Sequence, residues 1–274
     1  MTDNPEIGRS ITVNGFRTNY IQAGEGPPLI LIHGSGPGVT AFANWNGVIP
    51  TLSQQFKVYA PDMLGFGYTD SPADDQPFTL DLWVDHIVGF MDALQIDQAS
   101  FIGNSFGGGL CLAVAARHPA RVKRFVLMGA AGLRFDISDG LAKVWGYEPS
   151  LQNMRKLMET FAYDSSLVKD VIVQSRHEAS LRPETRNAFA RMFPPPRQDR
   201  LDGLATPEEA IRRIDHGALI VHGREDVIVP VEVAYRFSKL LRRSELHVFG
   251  ECGHWTQIEK KDRFLEVVAP FLAR

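Results

Sequence analysis

The sequence predicts an α/β fold: a mainly parallel sheet with helices on both faces and a helical cap inserted between two of its strands. Three observations carry this reading. Apolar runs of strand length alternate with helix-length segments. The runs are apolar almost throughout, as in strands buried on both faces of a parallel sheet. The alternation lapses once, between about Leu133 and Asp215, where every segment has a helical pattern. The expected division is a core domain of residues 1–132 and 216–274 and a cap of residues 133–215.

In chain order, SITVNGFRTNYIQAG reads as an antiparallel hairpin turning at Asn14-Gly15, a pair suited to a tight turn. PLILIHG, KVYAPD, ASFIGNS and RFVLMGAAG follow as strands, with TLDLWVDHIVGFMDALQ and GGLCLAVAARH as helices among them. The insertion holds SLQNMRKLMETFAYD, SLVKDVIVQSRHEAS, ETRNAFARMF and TPEEAIRRI. Pro194-Pro195-Pro196 interrupts it, because proline cannot continue a helix. ALIVHGRED and SELHVFGECGH resume the strands, with VEVAYRFSKLLRR between them and DRFLEVVAPFLA at the end. Ligands of such sheets bind beyond the carboxyl ends of the strands, so the insertion is expected to cover the site.

Composition narrows the function class. Charged residues make up 22% and the net charge is −3, which gives no electrostatic reason to expect nucleic acid or an anionic membrane as partner. No apolar run approaches transmembrane length, and MTDNPEIGRS lacks the basic-then-apolar order of a signal peptide. Cys111 and Cys252 are the only cysteines and form no CxxC pair, so neither disulfides nor a zinc site is expected. A reducing cytoplasm is the expected location. GxGxxG and GxxxxGK[ST] are both absent, which removes support for nucleotide binding.

The densest signal is Gly103-Asn104-Ser105-Phe106-Gly107, a G-x-S-x-G pattern between a strand and a helix. Glycine is tolerated inside regular structure at a cost of roughly 0.5–1 kcal/mol, so its clustering implies backbone packed too closely for side chains. A sharp turn of this kind exposes the serine above the sheet, at a helix N-terminus whose amides favour a developing anion. Serine needs a base to take its proton, and the base must be oriented. Of the eight histidines, His86, His118, His177 and His216 lie in helical or connecting patterns and are expected to be solvated. His33 and His222 adjoin strands, and His254 follows the last strand, a suitable place for the base. Asp226 after ALIVHGRE is the expected carboxylate, with adjacent Glu225 as runner-up. The order Ser105, Asp226, His254 is the one that a strand–turn–helix nucleophile predicts. The oxyanion would face the N–H of Phe106 and one from HGSGPG, at Ser35.

Together these elements resemble the α/β-hydrolase superfamily over essentially the whole chain. More narrowly, IHGSGPGVTAFANW, APDMLGFGYTD, GNSFGGG, AKVWGYEPS, MFPPPRQ, VHGRED and HVFGECGHWTQIE resemble the meta-cleavage product hydrolases of bacterial aromatic degradation. The subgroup acting on ring-fission products of phenols and monoalkylbenzenes is the most similar. The resemblance implies hydrolysis of a carbon–carbon bond in 2-hydroxy-6-oxohexa-2,4-dienoates or 2-hydroxymuconic semialdehyde. The products would be 2-hydroxypenta-2,4-dienoate and a carboxylic acid, formed without a cofactor. It marks Ser105, Asp226 and His254 as the triad, and Asn44, Asn104, Arg176 and Trp255 as substrate-binding positions. A planar guanidinium suits a dienoate carboxylate, which it can bind through two parallel hydrogen bonds. The implied partner is this small-molecule dienoate, and the implied assembly a homodimer or higher homo-oligomer. One departure is Arg200, where relatives tend to carry an aromatic residue.

The implied reaction starts with a shift to the keto tautomer. Ser105, or a water activated by His254, then attacks the carbonyl. A carboxylesterase of the same fold is the alternative enzyme, since substrate choice resides in the cap. A non-catalytic receptor or carrier is the alternative of another class, and an intact triad weighs against it. Haloalkane dehalogenases and epoxide hydrolases need a carboxylate nucleophile, which Ser105 does not provide.

Overall fold

The computed structural model describes residues 4–274. Strands β1 (Arg9–Val13) and β2 (Phe16–Ala23) form the expected hairpin. Asn14 and Gly15 turn it with φ of 51° and 89°, the positive pair that a twisted two-residue turn requires. Next come β3 (Pro28–Ile32), the short helices α1 (Ala41–Trp45) and α2 (Ile49–Leu52), and β4 (Lys57–Pro61). Helix α3 (Leu80–Ala93), β5 (Ala99–Asn104), α4 (Phe106–Arg117) and β6 (Val122–Met128) follow. The helices α5 (Asp139–Trp145), α6 (Leu151–Phe161), α7 (Asp170–Leu181), α8 (Pro183–Met192), α9 (Arg197–Asp202) and α10 (Glu208–Arg212) then interrupt the alternation. The chain returns through β7 (Gly217–Gly223), α11 (Val231–Leu240) and β8 (Ser244–Phe249), and finishes with α12 (Thr256–Glu259) and α13 (Lys261–Ala273).

One eight-stranded sheet runs β1-β2-β4-β3-β5-β6-β7-β8. Pairings β1·β2 and β2·β4 are antiparallel, and the rest are parallel. Successive side chains of a strand point to opposite faces, so each central strand feeds two cores. Ile30, Phe101, Phe125 and Leu127 join α3, α4 and α11 on one face. Leu29, Leu31, Ile102, Val126 and Met128 join α1, α2 and α13 on the other. Strand β8 departs from the expectation of burial on both faces. It lies at the sheet edge, with Glu245 exposed and most neighbours half-buried.

Local caps explain where several helices start. Thr79 accepts from Leu82 N, Ser138 from Leu141 N and Ser150 from Asn153 N, each satisfying an amide that the first turn leaves unpaired. Helices α1, α2, α5, α9 and α12 went unrecognised in the sequence because four to seven residues carry too little periodicity. His86 is a correction. The hairpin covers its face of α3, so the ring is buried against Thr18 Oγ1 at 2.9 Å, and burial lowers its pKa to about 4. No described helix is long and apolar enough to cross a membrane.

Candidate active site

Ser105 stands between β5 and α4 with φ 55° and ψ −116°, a left-handed backbone that a non-glycine residue adopts only under strain. Its amide donates to Met128 O at 2.8 Å, and its carbonyl accepts from Gly108, Gly109 and Ala131 amides. Those bonds hold the strained turn. The glycines are required by close approach: a Cβ on Gly103 would lie 2.3 Å from Gly107 O, and one on Gly107 would lie 2.3 Å from Ile32 O.

The loops after β7 and β8 bring Asp226 and His254 toward this turn. His254 Nδ1 lies 2.7 Å from Asp226 Oδ2, with both side chains buried. The acceptor is a carboxylate, so Nδ1 carries the proton and Nε2 is the nitrogen left for Ser105, which borders the same cavity. Asp226 Oδ1 accepts from the amides of Ile228 and Val229 at 2.8 and 3.0 Å. Burial alone would raise the pKa of Asp226, but the charge of His254 and hydrogen bonds from His222 and His254 hold it well below the usual carboxylate range. Glu225 turns elsewhere. It binds Arg224 and the amide of Cys252, bracing the loop that leads to His254.

Above Ser105 lies a cavity of about 40 Å³ that His254, Ser35, Asn44, Asn104, Arg176 and Trp255 also border. The inserted helices contribute Leu141, Val144, Met154, Leu157 and Phe161 to its wall. Asn44, Met158, Arg176 and Trp255 also border an outer cleft of about 740 Å³. Asn44 Nδ2 is buried without a hydrogen-bond partner, leaving a donor beside the cavity. Arg176 is half-buried, and loss of water around its guanidinium lowers its pKa, against the opposing charge of Glu6. Asn104 Nδ2 donates weakly to Met128 O at 3.4 Å. Trp255 stacks on Phe161 with ring centroids 5.0 Å apart.

Phe106 is absent from the cavity wall. Its ring turns down onto Phe66 and Trp83, so any part in the site belongs to its backbone N–H alone. Ser35 adjoins the cavity, and its Oγ accepts from Trp145 Nε1 at 3.0 Å. His33 supports that loop: Nδ1–H reaches Gly34 O at 2.7 Å while Nε2 accepts from Met63 N at 2.9 Å. Arg200 lies exposed on α9, outside the cavity wall, so the sequence departure there does not touch it.

Two neighbours of the site were not picked out as site residues from the sequence. Glu259 accepts from Gly253, Tyr163 and Asp164 amides at 2.7–3.0 Å, tying the His254 loop to the end of α6. Gly129, at φ 50°, leaves room for the histidine–carboxylate pair, since a Cβ there would lie 3.1 Å from the His254 ring.

The alpha/beta hydrolase fold family model matches residues 27–261. The chain is 55% identical to the 2-hydroxymuconate semialdehyde hydrolase of Pseudomonas sp. (strain CF600), over 99% of this chain and 95% of that protein. It is 52% identical to the 2-hydroxy-6-oxo-2,4-heptadienoate hydrolase of Pseudomonas putida (strain F1), over 98% of each. Its structure matches that of the meta-cleavage product hydrolase of Pseudomonas fluorescens IP01, a serine-to-alanine mutant complexed with acetates. That match has a TM-score of 0.97 and 54% identity, and covers 98% of this chain and 99% of the other. With a family model matched over most of its length and relatives this similar over nearly all of it, the protein belongs to the α/β hydrolases and, among them, to the meta-cleavage product hydrolases.

Proposed function

We propose that this enzyme hydrolyses the carbon–carbon bond between C5 and C6 of a 2-hydroxy-6-oxo-2,4-dienoate or 2-hydroxymuconic semialdehyde. One observation carries the reading. His254, held from behind by buried Asp226, and Ser105 share one cavity with Arg176, a guanidinium that loses water to burial. An ester needs no such cation, whereas a dienoate brings a carboxylate to it. The names of the relatives support the same substrate class.

In this reading Arg176, Asn44 and Asn104 hold the carboxylate and 2-hydroxyl end, and Trp255 closes that side. The dienol shifts to its keto tautomer and C5 gains a proton. His254 removes a proton from Ser105 or from a water, and that oxygen attacks C6. Amides of Ser35 and Phe106 stabilise the oxyanion. The C5–C6 electron pair leaves as a dienolate conjugated with its carboxylate, and C6 ends as a carboxylic acid. Trapping of an acyl-enzyme in a single turnover separates the serine route from the water route. Residues 133–215 act as the cap domain, and the apolar side chains of α5 and α6 receive the acyl substituent.

The working form is a cytoplasmic homodimer or higher homo-oligomer. The two buried, unbridged cysteines suit a reducing compartment.

The test is loss of the yellow dienolate absorbance with purified protein. Wild type should turn it over, and folded Ser105→Ala should lose roughly 10³-fold or more in kcat, because nucleophile and base act as a unit. Turnover of p-nitrophenyl esters without any of the dienoate would transfer the protein to the esterases.

A further inference from the structure

His222 takes no part in the proton transfers proposed for the reaction, yet it stands behind the carboxylate of Asp226. It lies near the end of β7, four residues before Asp226, and its side chain is 1% exposed. Nε2 lies 2.8 Å from Val229 O. A carbonyl can only accept, so Nε2 carries the proton of this ring. The same nitrogen stands 3.3 Å from Asp226 Oδ2, the oxygen that holds His254 at 2.7 Å. The other oxygen, Oδ1, is already occupied by two backbone amides.

We propose that His222 is a positioning residue for the reaction: its Nε2–H, anchored on Val229 O, fixes the plane of the Asp226 carboxylate and draws off part of the charge that Oδ2 presents to His254. The balance matters for a general base. A buried carboxylate this close to an imidazole favours its charged form, and an imidazolium cannot take a proton from serine or water. A second N–H facing the same oxygen weakens that pull.

Two carboxylates stand beside the loop that carries His254: Glu225 accepts from the amide of Cys252 and Glu259 from that of Gly253. The turn between β5 and α4 presents Ser105, and α7 presents the permanently charged Arg176 across the cavity. Cys252 lies in the loop before His254, and burial pushes its thiol up to about 12, so it stays neutral. The residue after β6 is Gly129, with no side chain, while α5 and α6 contribute only apolar side chains. His33 lies under the Ser35 loop and is kept neutral by burial.

The inference rests on His254 being the base, and substantial turnover by folded His254→Ala would remove that foundation separately. The experiment is the pH dependence of kcat/KM on an uncharged p-nitrophenyl ester, whose own charge does not change. In His222→Phe the acid limb should move up by about half a pH unit or more, since one N–H facing the carboxylate is lost. His222→Gln, whose amide nitrogen reaches the place of Nε2, should return the limb toward wild type. An unmoved limb in folded His222→Phe, even with slower turnover, would reduce His222 to a packing role. Should His222→Phe not fold, His222→Asn takes its place, because its shorter amide stops short of Oδ2. A raised limb in Asn but not in Gln supports the proposal, and identical limbs in both overturn it.

Discussion

The backbone amide of His254 donates to the carbonyl of Phe161 at 2.8 Å, so His254 and the inserted helices share a hydrogen bond. The Phe161 ring also stacks on both His254 and Trp255, at centroid distances of 5.7 and 5.0 Å. Any displacement of the end of α6 is therefore felt at the imidazole. Glu259 reinforces the link, with one oxygen on Gly253 N and the other on Tyr163 and Asp164 amides.

Glu259→Ala leaves three amides without their acceptor. It should cost about 1 kcal/mol of stability by unfolding in urea, the net worth of a hydrogen bond, because the Tyr163 and Asp164 amides are exposed and can turn to water. It should also lower kcat on both a dienoate and an ester, because His254 loses its support in each reaction. Glu259→Gln keeps one acceptor oxygen and should fall between. A folded Glu259→Ala enzyme with unchanged kcat would confine Glu259 to holding the loop together.

Asp226→Asn preserves shape but favours the wrong tautomer of His254, and kcat should fall by up to about 10⁴-fold. Glu225→Gln should cost far less in kcat, since Glu225 braces the Cys252 amide and touches no reacting group. Steady-state kinetics of both variants check this, and a larger loss in Glu225→Gln would reverse the assignment.

Arg176→Ala removes the cation expected to hold the dienoate carboxylate. Truncating one partner of such a pair typically costs about 2–5 kcal/mol, so kcat/KM for a dienoate should drop by roughly 30-fold or more. Arg176→Lys should recover only part, because an ammonium lacks the planar fork. Hydrolysis of an uncharged ester should change much less. Equal losses on both substrates would mean that Arg176 supports the packing of the inserted helices.

Acid stability should depend on His86. Burial holds His33 and His86 neutral, each with its pKa lowered from 6.5 to about 4. Between those values the unfolded chain binds protons that the folded one refuses, so both contributions to stability are complete above pH 6.5 and shrink as pH falls toward 4. Asp62 works in the opposite direction. Burial raises its pKa to about 6, against hydrogen bonds from Ala41, Tyr68 and Asn19, so its contribution is lost as pH rises through that value. His86→Gln removes one histidine contribution and leaves Asp62 in place. Urea unfolding from pH 6.5 down to 4.5 should show a shallower loss of stability in His86→Gln than in wild type. Equal slopes would mean that His86 already titrates in the folded protein.

The turn around Ser105 was legible because its constraint is local. Gly103 and Gly107 sit within two residues of the serine they expose, so spacing alone carries the geometry. Glu259 was illegible for the opposite reason. Its partners Tyr163 and Asp164 are 96 and 95 residues away, and nothing in the order of residues says that those segments meet. His86 was misread because a histidine in a helical pattern takes its environment from whatever covers that face. The cover is the hairpin, 68 residues earlier at Thr18.

The sequence by itself determined the alternation of strands and helices and the strained serine turn, since each follows from periodicity or from residues a few positions apart. Only the tertiary structure decided which histidines are buried, which nitrogen of His222 faces Asp226, and how the α6 end is bound to the His254 loop. Those are distances between segments far apart in sequence. They arise when the sheet twists and the cores on its two faces close, bringing strand ends together whose spacing in the sequence carries no record of the contact.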